Sequence, residues 1–210
     1  MIRTEHRESK WKFPFVSYKP NNVSGKLPLI LQLHGAGERG NGGDDLKLVD
    51  VHGFSKMAIV NEYECIFVMP QCPKDSFWVA HVESILAFIE QLKEEFDIDE
   101  DRICLTGLSM GGYGTWYTSM AKPDIFSCIV PVCGGGMPWF AGALKMPVWA
   151  FHGADDTVVT PIQSDEMVAN LRRYNDDVTY TRMDGVGHGV WEYAYVEETL
   201  AWILSKKKNG

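Results

Sequence analysis

The sequence predicts an α/β chain with a mainly parallel central sheet and helices on both faces. Three observations predict it. Strand-like runs alternate with runs of helical period along most of the chain. Several of the strand-like runs are apolar, as strands buried on both faces are. Gly107-Leu108-Ser109-Met110-Gly111-Gly112 is a G-x-S-x-G pattern set between a strand-like run and a helix-like run.

The elements follow in order. Residues 13–18 alternate like a strand, and 27–33 and 65–69 are apolar runs. Residues 82–96 place Ile85, Leu86, Ile89, Leu92 and Phe96 at helical spacing. Residues 102–106 read as a short buried strand. Residues 109–121 read as a helix, with Tyr113, Trp116, Tyr117 and Met120 at helical spacing. Strands are expected at 125–132, 148–151 and 178–183, a helix at 161–174 and a closing helix at 192–204. No internal repeat or low-complexity segment divides the chain, so residues 1–210 are read as a single domain.

Composition narrows the partners. The net charge of −8 argues against nucleic acid and anionic membranes. No apolar run approaches the ~20 residues that cross a bilayer. The first ten residues are charged and lack the apolar centre of a signal peptide, so a cytoplasmic location is expected. The five cysteines include no C-x-x-C pair. Cys65, Cys104 and Cys128 fall in strand-like runs and read as small buried hydrophobes. No disulfide framework, metal site or cofactor is expected. Lys206, Lys207 and Lys208 read as a solvated tail.

Between a strand and a helix, the G-x-S-x-G pattern demands a sharp turn that exposes Ser109 as a nucleophile. A hydroxyl is weak at neutral pH and needs a base, and the base needs an orienting acid. In this arrangement the chain order is Ser, then Asp or Glu, then His. Only His152 and His188 follow Ser109, and His152 precedes every plausible acid in the next loop. His188, flanked by Gly187 and Gly189, is therefore the base. Asp155 and Asp156 both lie beyond a strand end, and position does not separate them. Asp165, Glu166, Asp176 and Asp177 read as solvated, and Asp184 lies too near His188 in sequence. The developing oxyanion needs two donors. The amide of Met110 is one. The loop Leu33-His34-Gly35-Ala36-Gly37 supplies the other, with Ala36 preferred and Gly37 the alternative. His34 reads as a structural hydrogen-bonder. The stretch 35–43 lacks the G-K-[ST] ending of a phosphate loop.

LHGAGERG, PQCP followed by Trp78, ICLTGLSMGGYGTW, CGGG at 133–136, HGADDTVV and GVGHGVW together resemble small serine esterases of the α/β-hydrolase superfamily. The nearest branch is phospholipase/carboxylesterase and dienelactone-hydrolase-like, with peptidase-like and feruloyl-esterase-like members. The resemblance covers about residues 27–191. It implies the α/β-hydrolase fold. It maps the acid onto Asp156, four residues after His152, and the oxyanion donor onto Ala36. Dienelactone hydrolases proper carry a cysteine nucleophile, and Ser109 departs from them.

The expected activity is hydrolysis of small carboxylic esters through an acyl-enzyme. A peptidase or amidase with the same residues is the alternative, and a catalytically silent binding protein a third reading. Residues 133–145 leave no room for a large lid, so an open site is expected. Gly37, Trp78 and Trp139 are read as substrate-binding. Tyr113 divides evenly between cleft and core, and Trp191 leans to core. Oligomeric state stays open.

Overall fold

The computed structural model describes residues 1–208. Strands β1 (Ile2–His6), β2 (Phe15–Lys19) and β3 (Leu27–Leu33) lead to the short helix α1 (Ser55–Ala58) and strand β4 (Ile66–Pro70). Helix α2 (Val82–Glu95), strand β5 (Ile98–Leu108), helix α3 (Met110–Ala121) and strand β6 (Cys128–Val132) follow. The chain ends with β7 (Val148–Gly153), α4 (Ile162–Leu171), β8 (Val178–Met183), α5 (Trp191–Ala194) and α6 (Glu197–Ser205). The strands form one eight-stranded sheet in the order β1-β2-β4-β3-β5-β6-β7-β8. Among the described residues only the β1–β2 and β2–β4 pairs are antiparallel.

Side-chain alternation along the strands builds a core on each face of the sheet. Leu29, Leu31, Ile103, Leu105 and Ile129 pack with Ile85, Phe88 and Leu92 of α2, Trp116 of α3 and Met167 of α4. Their neighbours Ile30, Cys104, Val130 and Val132 face the other way, against Ala58, Leu200 and Ile203. Helices α2, α3 and α4 thus cover one face, and α1, α5 and α6 the other. Because β3 through β8 all run parallel, their carboxyl ends share one rim. The loops that carry Ala36, Ser109, Asp156 and His188 all leave from that rim.

Three features differ from the sequence expectation. β1 is not among the expected strands, because an edge strand carrying Arg3 and Glu5 has no buried residues to show a period. Arg3 pairs with Asp50 and Glu5 across that edge. The closing helix breaks at Val196, which is extended at φ −127° and ψ 169°. The lysine tail is tied down: Lys206 pairs with Asp177 and Lys207 with Asp101. The segment between β6 and β7 holds only a short 3-10 turn at Pro138–Ala143, in keeping with the absence of a large lid. Among the described residues no helix is long and apolar enough to cross a membrane.

Candidate active site

Ser109 sits where β5 turns into α3, in a backbone conformation of φ 54° and ψ −116°. That region is costly for a residue with a β-carbon, and the surroundings must impose it. They do so by contact. A β-carbon at Gly107 would overlap the Gly111 carbonyl, and one at Gly111 would overlap the Leu33 carbonyl. The Ser109 amide donates to the Val132 carbonyl at 2.9 Å, and its own carbonyl accepts from the Tyr113 amide at 3.1 Å. The strand leads in, the helix leads out, and the side chain is left at the rim.

His188 lies in the loop after β8. Its Nε2 is 2.9 Å from Ser109 Oγ, and its Nδ1 is 2.7 Å from Asp156 Oδ2. Those contacts assign Nδ1–H to Asp156 and leave Nε2 to accept from the hydroxyl. Asp156 Oδ1 accepts from the amides of Val158 and Val159, each at 2.9 Å. Burial pulls the Asp156 carboxyl up, but the bonds from His188, Val159 and Val158 outweigh it and hold the group below the usual carboxylate range. Asp155, its neighbour, is exposed. The structure thus brings Ser109, His188 and Asp156 into one hydrogen-bonded chain and leaves Asp155 outside it.

The acid and base loops are fastened to each other. The Ala154 amide donates to the Met183 carbonyl at 2.8 Å and the Asp155 amide to the Val186 carbonyl at 3.0 Å. His152 supports them from beneath. Its Nε2 meets the Val159 carbonyl at 2.9 Å, and its Nδ1 meets Ser164 Oγ at 2.7 Å. Burial lowers its pKa, so it is a neutral strut rather than a second base. Trp191, expected to lean to the core, is half-buried and packs edge-to-face on His188, with ring centroids 5.3 Å apart at 87°.

On the other side, Ala36 and Met110 each begin a helical segment, so their amides have no acceptor within it. Gly35 brings this loop against the nucleophile; a β-carbon there would stand 3.7 Å from Ser109 Cβ. His34 staples the loop, as expected of a structural hydrogen-bonder. Its Nε2 accepts from the Cys72 amide at 2.9 Å, and its Nδ1 meets the Gly35 carbonyl at 2.6 Å. Burial pushes its pKa down to about 4. Gly37 is exposed, and nothing stands within 4 Å of where its β-carbon would be.

The reading of Trp78 needs correction. Trp78 is fully buried, and its Nε1 donates to the His34 carbonyl at 2.9 Å, so it supports the loop and lines no cleft. Its chain neighbours point outward instead. Phe77 and Val79, with Met110, Tyr113 and Tyr117, line an apolar groove of about 390 Å³. Trp139 is 81% exposed and is not among these lining residues. Sequence reasoning missed Phe77 and Val79, although their apolar character on either side of a tryptophan was a usable signal. It also missed Cys133, which directly follows β6 and is fully buried beside Asp156 and His188.

The comparisons agree with this fold. The prolyl oligopeptidase family matches residues 79–136, the stretch from before α2 to just beyond β6. A thermostable esterase of known structure superposes with a TM-score of 0.83 at 30% identity, covering 99% of this chain and 63% of its own. An acylaminoacyl peptidase from Pyrococcus horikoshii superposes at 0.71 with 18% identity, covering 99% of this chain and 42% of its own. The fold is that of the α/β-hydrolases. Among characterised relatives, a bifunctional acetylxylan esterase/xylanase from Neocallimastix patriciarum is 29% identical over 163 residues. That match takes in 74% of this chain but only 23% of the relative's length. The chain is therefore similar to esterases along most of its length, while spanning a minor part of that curated relative.

Proposed function

We propose that the chain is a serine hydrolase of small or short-chain carboxylic esters, working through an acyl-enzyme. The observation that carries this reading is the unbroken contact series from Ser109 Oγ through His188 to Asp156, at 2.9 and 2.7 Å. His188 Nε2 takes the hydroxyl proton as Ser109 Oγ attacks the ester carbonyl. Asp156 keeps the imidazole in the required tautomer and stabilises its charged form. The amides of Ala36 and Met110 hold the oxyanion. The alcohol leaves with the proton from His188. Water, deprotonated by the same imidazole, then releases the acid. Every proton in this cycle is held by these residues, so the chemistry asks for no metal or cofactor.

The groove beside Met110 receives the apolar part of the ester, because it opens next to one oxyanion donor. In this reading residues 1–210 act as one unit with a small-molecule substrate. Amide cleavage by the same residues is the second reading, favoured by the prolyl oligopeptidase match. The likeness to esterases at higher identity favours the ester. We also infer a cytoplasmic location, since all five cysteines are buried free thiols, a state that a reducing compartment maintains. Cell fractionation with an antibody to the chain tests it.

The central test pairs hydrolysis of a series of aryl esters and anilides with fluorophosphonate labelling. The native chain should turn over short esters at least ten times faster than the anilides, and the probe should label Ser109. Ser109→Ala should lose turnover by about 10⁴-fold or more and should not label. An active Ser109→Ala chain would sink the assignment, and faster anilide cleavage would install the peptidase reading.

A further inference from the structure

One buried group at the rim has no part in this chemistry. Cys133 follows the last residue of β6 and is held at φ 40°, a left-handed conformation that few residues with a β-carbon adopt. Its thiol is fully enclosed, and burial pushes it up to about 12, with the Ser109 amide pulling it down less than that. One ligating atom from each of Cys133, Asp156 and His188 lies within 4.8 Å of the other two. Sulfur, imidazole nitrogen and carboxylate oxygen together are the donor set that zinc and its thiophilic relatives prefer.

We propose that Cys133, Asp156 and His188 form an inhibitory site for a thiophilic divalent cation such as Zn²⁺ or Cd²⁺. The inference rests on the reading of Ser109, His188 and Asp156 as the reacting groups. Two of the three donors stand close behind strand ends, and His188 is 20% exposed in its side chain, which gives the cation an approach from solvent. A thiolate and a carboxylate together cancel the double charge, so the loaded site is neutral and tolerates burial. Tetrahedral bonds of about 2.0–2.3 Å need donors roughly 3.5 Å apart. His188 Nδ1 and Asp156 Oδ2, 2.7 Å apart, must open by about an ångström, while no donor pair starts more than 4.8 Å apart, and the His188 loop can supply such shifts: Gly187 has one atom, at 3.8 Å, within reach of an added β-carbon, and Gly189 none within 4 Å.

The protons balance as follows. At rest His188 carries its proton on Nδ1, facing Asp156. The cation takes Nδ1, and that proton moves to Nε2. The Cys133 thiol releases its proton to solvent and binds as thiolate. Asp156 binds as carboxylate, and a water completes the coordination. With Nε2 protonated, His188 no longer accepts the Ser109 hydroxyl proton, and the first step stops. No other cysteine has such company. Cys104 and Cys128 face each other in register between β5 and β6, but among the described residues no other group of three His, Cys, Asp or Glu side chains comes within chelating distance.

The test is a CdCl₂ titration of the whole chain, with a ZnCl₂ titration beside it. Ester hydrolysis and the ultraviolet cadmium–thiolate charge-transfer band are followed together. Inhibition of at least tenfold, reversed by EDTA, should rise with a band corresponding to one thiolate per chain. Cys133→Ser should keep its basal turnover, lose the band and need at least tenfold more cation for the same inhibition. Cys133→Ala, with its fold checked by circular dichroism, serves if the serine variant does not fold. A band that persists in both variants, or inhibition unchanged in them, overturns the proposal. If the native chain shows neither ester turnover nor fluorophosphonate labelling, the esterase reading fails, yet the band and its loss on Cys133→Ser and Asp156→Ala still decide the metal site.

Discussion

The two sides of Ser109 are built by different means. On the nucleophile side the chain is positioned by exclusion: backbone presses on backbone at Gly107 and Gly111, and no side chain fits between. On the acid–base side the chain is positioned by attraction. Asp156 collects His188 and two amides, His152 braces the loop from below, and open space surrounds Gly189. Exclusion fixes one conformation and tolerates no added atom. Hydrogen bonding fixes direction but leaves room for substitution and for a base that must move protons. A nucleophile needs the first kind of support, and an imidazole that changes charge in every turnover needs the second.

The largest effect should come from altering the direction of that bonding without altering shape. Asp156→Asn offers Nδ1 an amide that can donate, which favours the wrong tautomer of His188. We expect turnover to fall by about 10⁴-fold with the fold intact. Asp155→Asn changes an exposed group one residue away and should stay within about twofold, since surface changes of this kind cost little. Steady-state kinetics on a short aryl ester, with circular dichroism as a control, compares the two. The reverse ranking would move the acid to Asp155.

The steric side should break through stability instead. Gly111→Ala drives a β-carbon into the Leu33 carbonyl, where the contact is with backbone and nothing flexible can yield. A loss of about 3 kcal/mol or more is expected in urea unfolding, at the upper end of overpacking costs. Gly189→Ala enters open space and should change stability by no more than about 0.5 kcal/mol. Equal losses from the two variants would erase the contrast between the two sides.

The loop after β3 that carries Ala36 belongs to neither side alone, and pH separates it. His34 is buried neutral with its pKa near 4, whereas the unfolded chain binds that proton from about 6.5 downward. Between these values the unfolded state holds more protons, so stability present above pH 6.5 is lost as the pH falls. The gap is worth roughly 3 kcal/mol by pH 4. His34→Gln should flatten that part of the stability profile, measured by urea midpoints from pH 7 to 4. An unchanged slope would mean that other buried groups, His152 among them, carry the acid sensitivity.

Much of this arrangement was legible before any coordinates. Strands buried on both faces announce themselves as apolar runs, so β3 and β4 fall at or within a residue of the runs. The G-x-S-x-G pattern and chain order brought Ser109 and His188 forward because both express a backbone requirement that leaves glycines beside them. The choice of Asp156 over Asp155 came from likeness rather than position, since a single residue's turn toward or away from the core has no periodicity in a loop. β1 was hidden by its exposure. Trp78 misled for a physical reason: a large ring beside a loop fills core as readily as cleft, and here its indole N–H found a buried carbonyl.

The smallest effect expected concerns that groove. Phe77 is 54% exposed and Trp139 81% exposed, so both look available to a ligand. Only Phe77 lines the groove that opens at Met110. If the apolar part of the ester lies there, Phe77→Ala removes about half a phenyl face of contact, about 1 kcal/mol at ordinary burial values. KM for an ester with a longer acyl chain or an aryl group should rise about fivefold, while the acetyl ester and kcat stay nearly constant. Trp139→Ala should leave both substrates alone. A Trp139 variant that weakens the longer ester while Phe77→Ala does not would place the substrate across the β6–β7 turn, on the acid–base side of Ser109, and the apolar groove on the steric side would then need another occupant.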